Sequence, residues 1–282
     1  MSSEEDSKML KKLIGEEKTI FEAGIKIEYL YIRADVLEPK EDSWNLYEIK
    51  ASNKVSYKEK PEYYNDLAFQ KFVCVKYGLK INRCFIIHLN GEYVKYGEIK
   101  PEELVVKKDA TEEVNLIVDI EENIKKYLEV IKSNKEPEVE KSKNCTDRYN
   151  KYDCPMKEKC WNDLPEHNVF ETTPNTAWEL FELGITEIQD IPSDFKLTYA
   201  KDRVIIKTHK EKNIHISEEN IKHFMSSLNY PLYYLDFETI DPAVPIFDRS
   251  RPYQKIPFQY SIHIQYEEGS TTHFEFLNDD NA

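Results

Sequence analysis

Between Arg33 and Lys50 the chain reads Arg-Ala-Asp-Val-Leu-Glu-Pro-Lys-Glu-Asp-Ser-Trp-Asn-Leu-Tyr-Glu-Ile-Lys, two short apolar runs separated by a polar turn. This stretch constrains the fold more than any other, because it dictates where the side chains of two successive strands point. Side chains alternate along a strand, so Glu48 and Lys50 project together while Tyr47 and Ile49 project to the other face. The preceding run carries Asp35. Two carboxylates on neighbouring strands suit a hard cation, and a lysine beside them can orient a water or stabilise charge on a phosphate. In isolation the same pattern also describes an amphipathic hairpin with solvated charges.

The flanking segments point to a sheet with helices on it. Residues 1–19 are charged, which predicts a partly helical lead-in. Residues 19–37 are rich in β-favouring side chains (Ile25, Ile27, Tyr29, Tyr31, Val36), with Gly24 expected in a hairpin turn. Residues 40–43 form the next turn and 44–51 the next strand. Over 61–77, proline stands in the first turn, apolar residues recur at Tyr64, Leu67, Ala68, Phe72 and Val75, and Gly78 follows the last turn. That pattern predicts a helix with a glycine C-cap. Asp66 and Gln70 are four apart on it and share a face, so Gln70 is free to point toward the acids or toward substrate, an exposed helix glutamine being the plain alternative. Residues 81–89 and 92–99 flank Asn90-Gly91 and are expected to pair as a hairpin. Asp109-Ala-Thr-Glu112 has the form of a capping box, opening a helix to about residue 133 with Ile117, Ile120, Ile124, Leu128 and Ile131 inward. The order strand, strand, helix, strand, strand, helix predicts an α/β chain, α+β in its mixed sheet.

With 282 residues the chain exceeds the size at which one core keeps growing, so more than one domain is expected. A formal net charge of −14 argues against a general nucleic-acid coat protein, while 39 basic residues leave material for a local groove. The seven glycines form neither a GxxxxGK[ST] loop nor a GxGxxG turn, which disfavours ATP hydrolysis and dinucleotide binding. No apolar run reaches about 18 residues, and the first residues lack the apolar core of a signal peptide. A cytoplasmic protein without a membrane partner is expected. Five cysteines, an odd number, do not make a disulfide framework in a reducing compartment.

A polar linker at 134–144 leads to Cys145, Cys154 and Cys160, followed by Trp161. Three cysteines within sixteen residues of lysine-rich chain point to soft-metal ligation, iron–sulfur or zinc, with uncoordinated thiols as the plain alternative. Residues 168–229 read as a helical connector, with an amphipathic helix at 177–184 ended by Gly184. His209, His215 and His223 lack metal-ligand spacing and read as surface or core histidines. In Pro231-Leu-Tyr-Tyr-Leu-Asp-Phe-Glu-Thr239, Asp236 and Glu238 stand on one face of an apolar strand, a spacing at which two carboxylates can share two metal ions. Residues 258–265 and 271–277 are expected as the second and third strands of that sheet, with Gly269 in the turn.

Asp35, then Glu48-Ile-Lys50, then a helix carrying Gln70 resembles the PD-(D/E)XK nuclease superfamily in its RecB-like branch. The resemblance implies a restriction-endonuclease-like core over 1–135, with Asp35, Glu48, Lys50 and Gln70 as catalytic residues. It also implies Mg²⁺ or Mn²⁺ on Asp35 and Glu48, the Ile49 carbonyl being a further ligand. Glu22 sits where many members carry an extra upstream acid. Where that branch often has an aromatic residue four positions after the glutamine, this chain has Cys74.

The C-x8-C-x5-C spacing over 136–167 is similar to the C-terminal cysteines of iron–sulfur-bearing RecB-like nucleases. This implies a [4Fe-4S] cluster on Cys145, Cys154 and Cys160, with zinc as the alternative. The relatives' fourth ligand lies upstream of the catalytic strands, where this chain has none. It is expected on an absent N-terminal piece, with His167 or Cys84 as the other choices. Tyr-Leu-Asp-Phe-Glu-Thr resembles the first motif of DEDD-type 3′–5′ exonucleases, implying a partial ribonuclease-H-like sheet over 230–282 with Asp236 and Glu238 as metal ligands.

Together the segments look like a bacterial family that fuses these modules, shortened here at both ends. The implied function is metal-dependent hydrolysis of DNA phosphodiester bonds in processing, repair or defence. The alternative is a catalytically inactive nucleic-acid-binding or scaffolding protein with degenerate or incomplete nuclease domains.

Overall fold

The computed structural model describes residues 10–145 and 154–278. The expected start of the lead-in and the chain between Cys145 and Cys154 lie outside the described residues. The chain divides into two compact units, one formed by Met1–Ser133 with Tyr230–Ala282 and the other by Asn134–Asn229.

The first unit is built on a five-stranded sheet of order β1-β2-β3-β4-β5. The strands are β1 (Ile20–Ile27), β2 (Leu30–Lys40), β3 (Ser43–Lys50), β4 (Ile81–Leu89) and β5 (Val105–Asp109). All neighbours are antiparallel except β3 and β4. A parallel pair cannot close through a tight turn, so the chain must cross one face of the sheet between them. Helix α1 (Pro61–Tyr77) is that crossover. Pro61 starts it without losing a needed N–H, and Gly78, at φ +104°, ends it in the left-handed conformation. Its Tyr64, Leu67, Ala68, Val73 and Cys74 are buried in one cluster with Leu37, Leu46, Cys84 and Ile86. Each large apolar side chain so buried contributes on the order of 1.5–3 kcal/mol before conformational entropy is subtracted. A smaller cluster of Val36, Tyr47 and Phe85 packs separately, with the Tyr47 and Phe85 rings stacked at 4.9 Å.

The mixed α/β class is as expected, but three local expectations fail. Gly24 lies inside β1 opposite Arg33, and the turn falls at Glu28, at φ +50°. Residues 92–99 form no strand. Their backbone is engaged elsewhere, Lys95 N–H donating to Ser250 O at 3.1 Å and Arg249 N–H to Lys95 O at 2.8 Å. The partner of β4 is instead β5, reached through the short helix α2 (Pro101–Leu104). The helix expected to reach residue 133 is broken into α3 (Thr111–Leu116) and α4 (Ile120–Lys132). At its start Asp109 accepts from the Thr111 N–H at 3.0 Å, an Asx turn rather than a reciprocal box.

The three-stranded antiparallel sheet of the first unit comprises β6 (Leu232–Ile240), β7 (Ile256–Gln265) and β8 (Thr271–Leu277). Gly269, at φ +88°, lies between β7 and β8. The register puts Asp236, Glu238, Ser261 and His263 on one face, and Tyr233, Leu235, Phe237, Tyr260, Phe274 and Phe276 on the other. Those six apolar side chains are all exposed. The loop after β6 is tied to the five-stranded sheet, where Tyr253 OH donates to Ala51 O at 2.7 Å.

The second unit contains α5 (Lys157–Cys160), α6 (Pro174–Glu182), α7 (Ala200–Glu211) and α8 (Glu218–Ser227). Val169, Leu180, Ile188, Ile191 and Ile206 form its buried core. Trp161 joins an aromatic group with Phe170 at 4.4 Å and Trp178 at 6.4 Å between ring centroids. Among the described residues no helix is long and apolar enough to cross a membrane.

Candidate active site

The parallel pairing that requires α1 also places that helix beside the polar end of β3. Glu48 stands on the same side of β3 as Leu46 and is paired with Ile86 of β4; it is 6% exposed. Gln70 Nε2 donates to Glu48 Oε2 at 2.5 Å, and Lys50 Nζ lies 2.6 Å from Glu48 Oε1. The Lys50 ammonium also donates to Asp66 Oδ2 at 3.0 Å and sits 5.1 Å from the centre of the Tyr63 ring. The two elements match in repeat. A two-residue step on a strand covers about 6.6 Å and a four-residue step on a helix about 6 Å, so Glu48 and Lys50 meet Gln70 and Asp66 in order. Tyr63, Asp66 and Gln70 fall at i, i+3 and i+7, one stripe of α1.

Asp35 stands beside this group. Its Oδ2 accepts the Ile49 N–H at 2.6 Å. The β1–β2 ladder passes from Phe21↔Val36 to Ala23↔Ala34, leaving Glu22 and Asp35 unpaired opposite one another. Glu22 takes φ +53°, which costs a non-glycine residue about 1 kcal/mol. The kink lets β1 bury Ile20 and then Ala23 and Ile25, an odd step that regular alternation forbids.

Burial pushes the Glu48 carboxyl above its ordinary value; hydrogen bonds from Lys50 and Gln70 pull the other way, and the Asp35 charge adds to the rise. For Lys50, burial alone would lower the ammonium, but hydrogen bonds to Glu48 and Asp66 outweigh it and hold it above the usual lysine value. The raised Glu48 value means that the folded chain binds this proton more tightly than the unfolded chain does. Its contribution to stability is full below the unfolded glutamate value of 4.5 and is lost as pH rises through the folded one. In EDTA, Glu48→Gln should therefore flatten the decline in denaturant midpoint above pH 4.5. An unchanged slope would show that Glu48 is not the group responsible.

The donors fit a hard cation. Asp35 and Glu48 supply carboxylate oxygens, and Gln70 Oε1 is a buried acceptor without a hydrogen-bond partner. The carboxylate fixes the orientation of that amide, because turning it over would set Oε1 against Glu48 Oε2. Reading Gln70 as an exposed helix glutamine is excluded by its burial.

The three cysteines are half-buried and line one cavity of about 580 Å³ with Met156, Lys157 and Trp161. Tetrahedral zinc with Zn–S bonds of about 2.3 Å draws its thiolates to within about 4 Å of each other. Cys145, Cys154 and Cys160 do not gather that closely among the described residues. Three thiols facing one cavity are a soft donor set of the kind that iron–sulfur clusters and zinc both use. Cys84 is no fourth ligand, being fully buried beside Cys74 in the sheet core, where burial pushes its thiol to about 11. His167 is engaged with Glu171 at 3.3 Å.

Asp236 and Glu238 share a face, as their spacing predicts, and both are exposed on β6 across from Ser261 and Gln259. They join no group of three metal-ligand side chains among the described residues. The site residues that sequence reasoning missed are Tyr63 and the anchoring role of Asp66; their positions two turns and one turn before Gln70 on the same stripe were the available signal. Residues 233–282 match a family described as a domain of unknown function (DUF2779), which takes in most of β6 and all of β7 and β8. No curated protein and no solved structure matches the chain.

Proposed function

We propose that the chain is a metal-dependent nuclease that hydrolyses DNA phosphodiester bonds at the junction of β3 and α1. The observation that carries this reading is the convergence of Glu48, Lys50 and Gln70 beside Asp35, with the buried Gln70 Oε1 left unpaired. Asp35 and Glu48 would hold Mg²⁺ or Mn²⁺, with the Ile49 carbonyl as a further donor. The ion, when bound, supplies positive charge to the phosphate and acidifies a water.

The chain's own residues supply the positioning. Gln70 holds one oxygen of Glu48 in place, while Asp66 and the Tyr63 ring keep hold of Lys50 when Glu48 turns to other work. Lys50 then orients the attacking water or stabilises the charge that develops on phosphorus oxygens. Cys145, Cys154 and Cys160 would carry a structural iron–sulfur cluster, giving an anaerobically purified protein a brown colour. In this reading the partner is DNA and the protein works in the cytoplasm.

Cleavage of labelled single- and double-stranded DNA in Mn²⁺ by wild type, Glu48→Ala and Asp236→Ala, run in parallel, tests the proposal. Wild type and Asp236→Ala are expected to cut equally and Glu48→Ala not at all. Loss with Asp236→Ala and retention with Glu48→Ala would overturn it. If wild type binds DNA with a steep salt dependence and never cuts, the chain is instead a nucleic-acid-binding or scaffolding protein with an idle site.

A further inference from the structure

The second unit holds a side-chain cluster that the nuclease reading does not use. His167, Glu171 and His209 place one ligand atom each within 4.8 Å of one another. Glu171 stands between the imidazoles, with Oε1 3.3 Å from His167 Nδ1 and Oε2 2.9 Å from His209 Nε2. The two rings are 4.5 Å apart and tilted by 48°.

The backbones that carry these donors are fastened independently of them. The Ile188 N–H donates to His167 O at 3.1 Å, and Gln189 Nε2 donates to His209 O at 2.6 Å, so adjacent residues hold both histidines. Glu171 ends a 3₁₀ turn, Val169–Glu171, in which the Phe170 N–H donates to the capping Asn168 Oδ1 at 3.1 Å. His167 and Glu171 are exposed and His209 half-buried, which leaves a path for an ion and room for water.

We propose that His167 Nδ1, a Glu171 carboxylate oxygen and His209 Nε2 bind a divalent transition-metal ion of the zinc class. Two imidazoles and one carboxylate favour Zn²⁺, Co²⁺ or Ni²⁺, whereas Mg²⁺ and Ca²⁺ require oxygen donors throughout. Tetrahedral donors about 2.0–2.1 Å from an ion lie about 3.3 Å from each other, and here one donor atom from each residue already lies within 4.8 Å of the other two, the imidazoles facing different oxygens of Glu171. Three protein ligands leave one position for water. The ion would tie the 3₁₀ turn to the last turn of α7 and so stabilise the unit that carries it.

Zn²⁺ binding by the EDTA-stripped full chain, followed by calorimetry and by thermal melting, tests this. The cysteines are removed as competitors in a Cys145→Ser, Cys154→Ser, Cys160→Ser background. In that background one equivalent of Zn²⁺ is expected to bind and to raise the melting midpoint by about 5 °C at a hundredfold excess over Kd. Both effects should be lost in His167→Ala and Glu171→Gln, with Co²⁺ giving the weak visible bands of nitrogen and oxygen ligation. His167 is exposed, so its replacement leaves the fold intact, which circular dichroism checks. Equal Zn²⁺ binding by the triple-serine protein with and without His167→Ala, or no binding by the triple-serine protein at all, would overturn the proposal and leave a hydrogen-bonded His–Glu–His tie.

Discussion

Lys50→Met is expected to lower Mn²⁺-dependent DNA cleavage by about 10²–10³-fold with little change in fold. Methionine keeps the unbranched stem that packs at the end of β3 and removes only the ammonium. That ammonium has two anchors, Glu48 at 2.6 Å and Asp66 at 3.0 Å, and its side chain is 20% exposed. The pairing is therefore partly screened, so the loss of stability should be modest compared with the loss of rate. Single-turnover cleavage separates the chemical step from DNA binding, and the melting midpoint controls for folding. Asp66→Ala, which removes the exposed anchor and leaves the buried one, should cost less than tenfold. Cleavage by Lys50→Met at the wild-type rate would remove Lys50 from the mechanism.

Asp202→Ala should destabilise the second unit by about 3 kcal/mol or more. Asp202 is fully buried and accepts three hydrogen bonds, from Thr173 N at 2.8 Å, Thr173 Oγ1 at 2.7 Å and Thr176 Oγ1 at 2.6 Å. Thr173 is the N-cap of α6 but makes no capping bond with its own side chain. A residue of α7 therefore caps α6, satisfying the N-cap N–H and complementing the helix dipole. Alanine leaves a part-buried N–H and two hydroxyls without this acceptor. Asp202→Asn, which keeps one carbonyl oxygen, should lose roughly half as much. Urea denaturation followed by the fluorescence of Trp161 and Trp178, with Trp44 replaced by phenylalanine, measures the effect. A shift below about 1 kcal/mol would mean that another group takes over the cap.

The candidate site was legible in proportion to how local its signals are. Glu48 and Lys50 sharing a face follows from strand alternation, and the limits of α1 follow from Pro61 and Gly78. The hairpin expected across Asn90-Gly91 failed although its turn signal is strong. The bonds that residues 92–99 would give to β4 go instead to Arg249 and Ser250, more than 150 residues along the chain. Gly24 suggested a turn because glycine permits one, yet the left-handed positions went to Glu22 and Glu28, where the ladder breaks and where the strands reverse.

By itself the sequence determined the alternation of β3, the span of α1, the mixed α/β class and the common face of Asp236 and Glu238. Each rests on a repeat of two or 3.6 residues within one element. Only the tertiary structure decided that Gln70 meets Glu48, that Asp202 caps a helix whose N-cap, Thr173, stands 29 residues earlier, and that His209 joins His167 and Glu171. Those pairings depend on which elements pack together. The parallel pairing of β3 with β4 brings α1 over the sheet, and the buried core of the second unit brings α7 to the turn at Glu171.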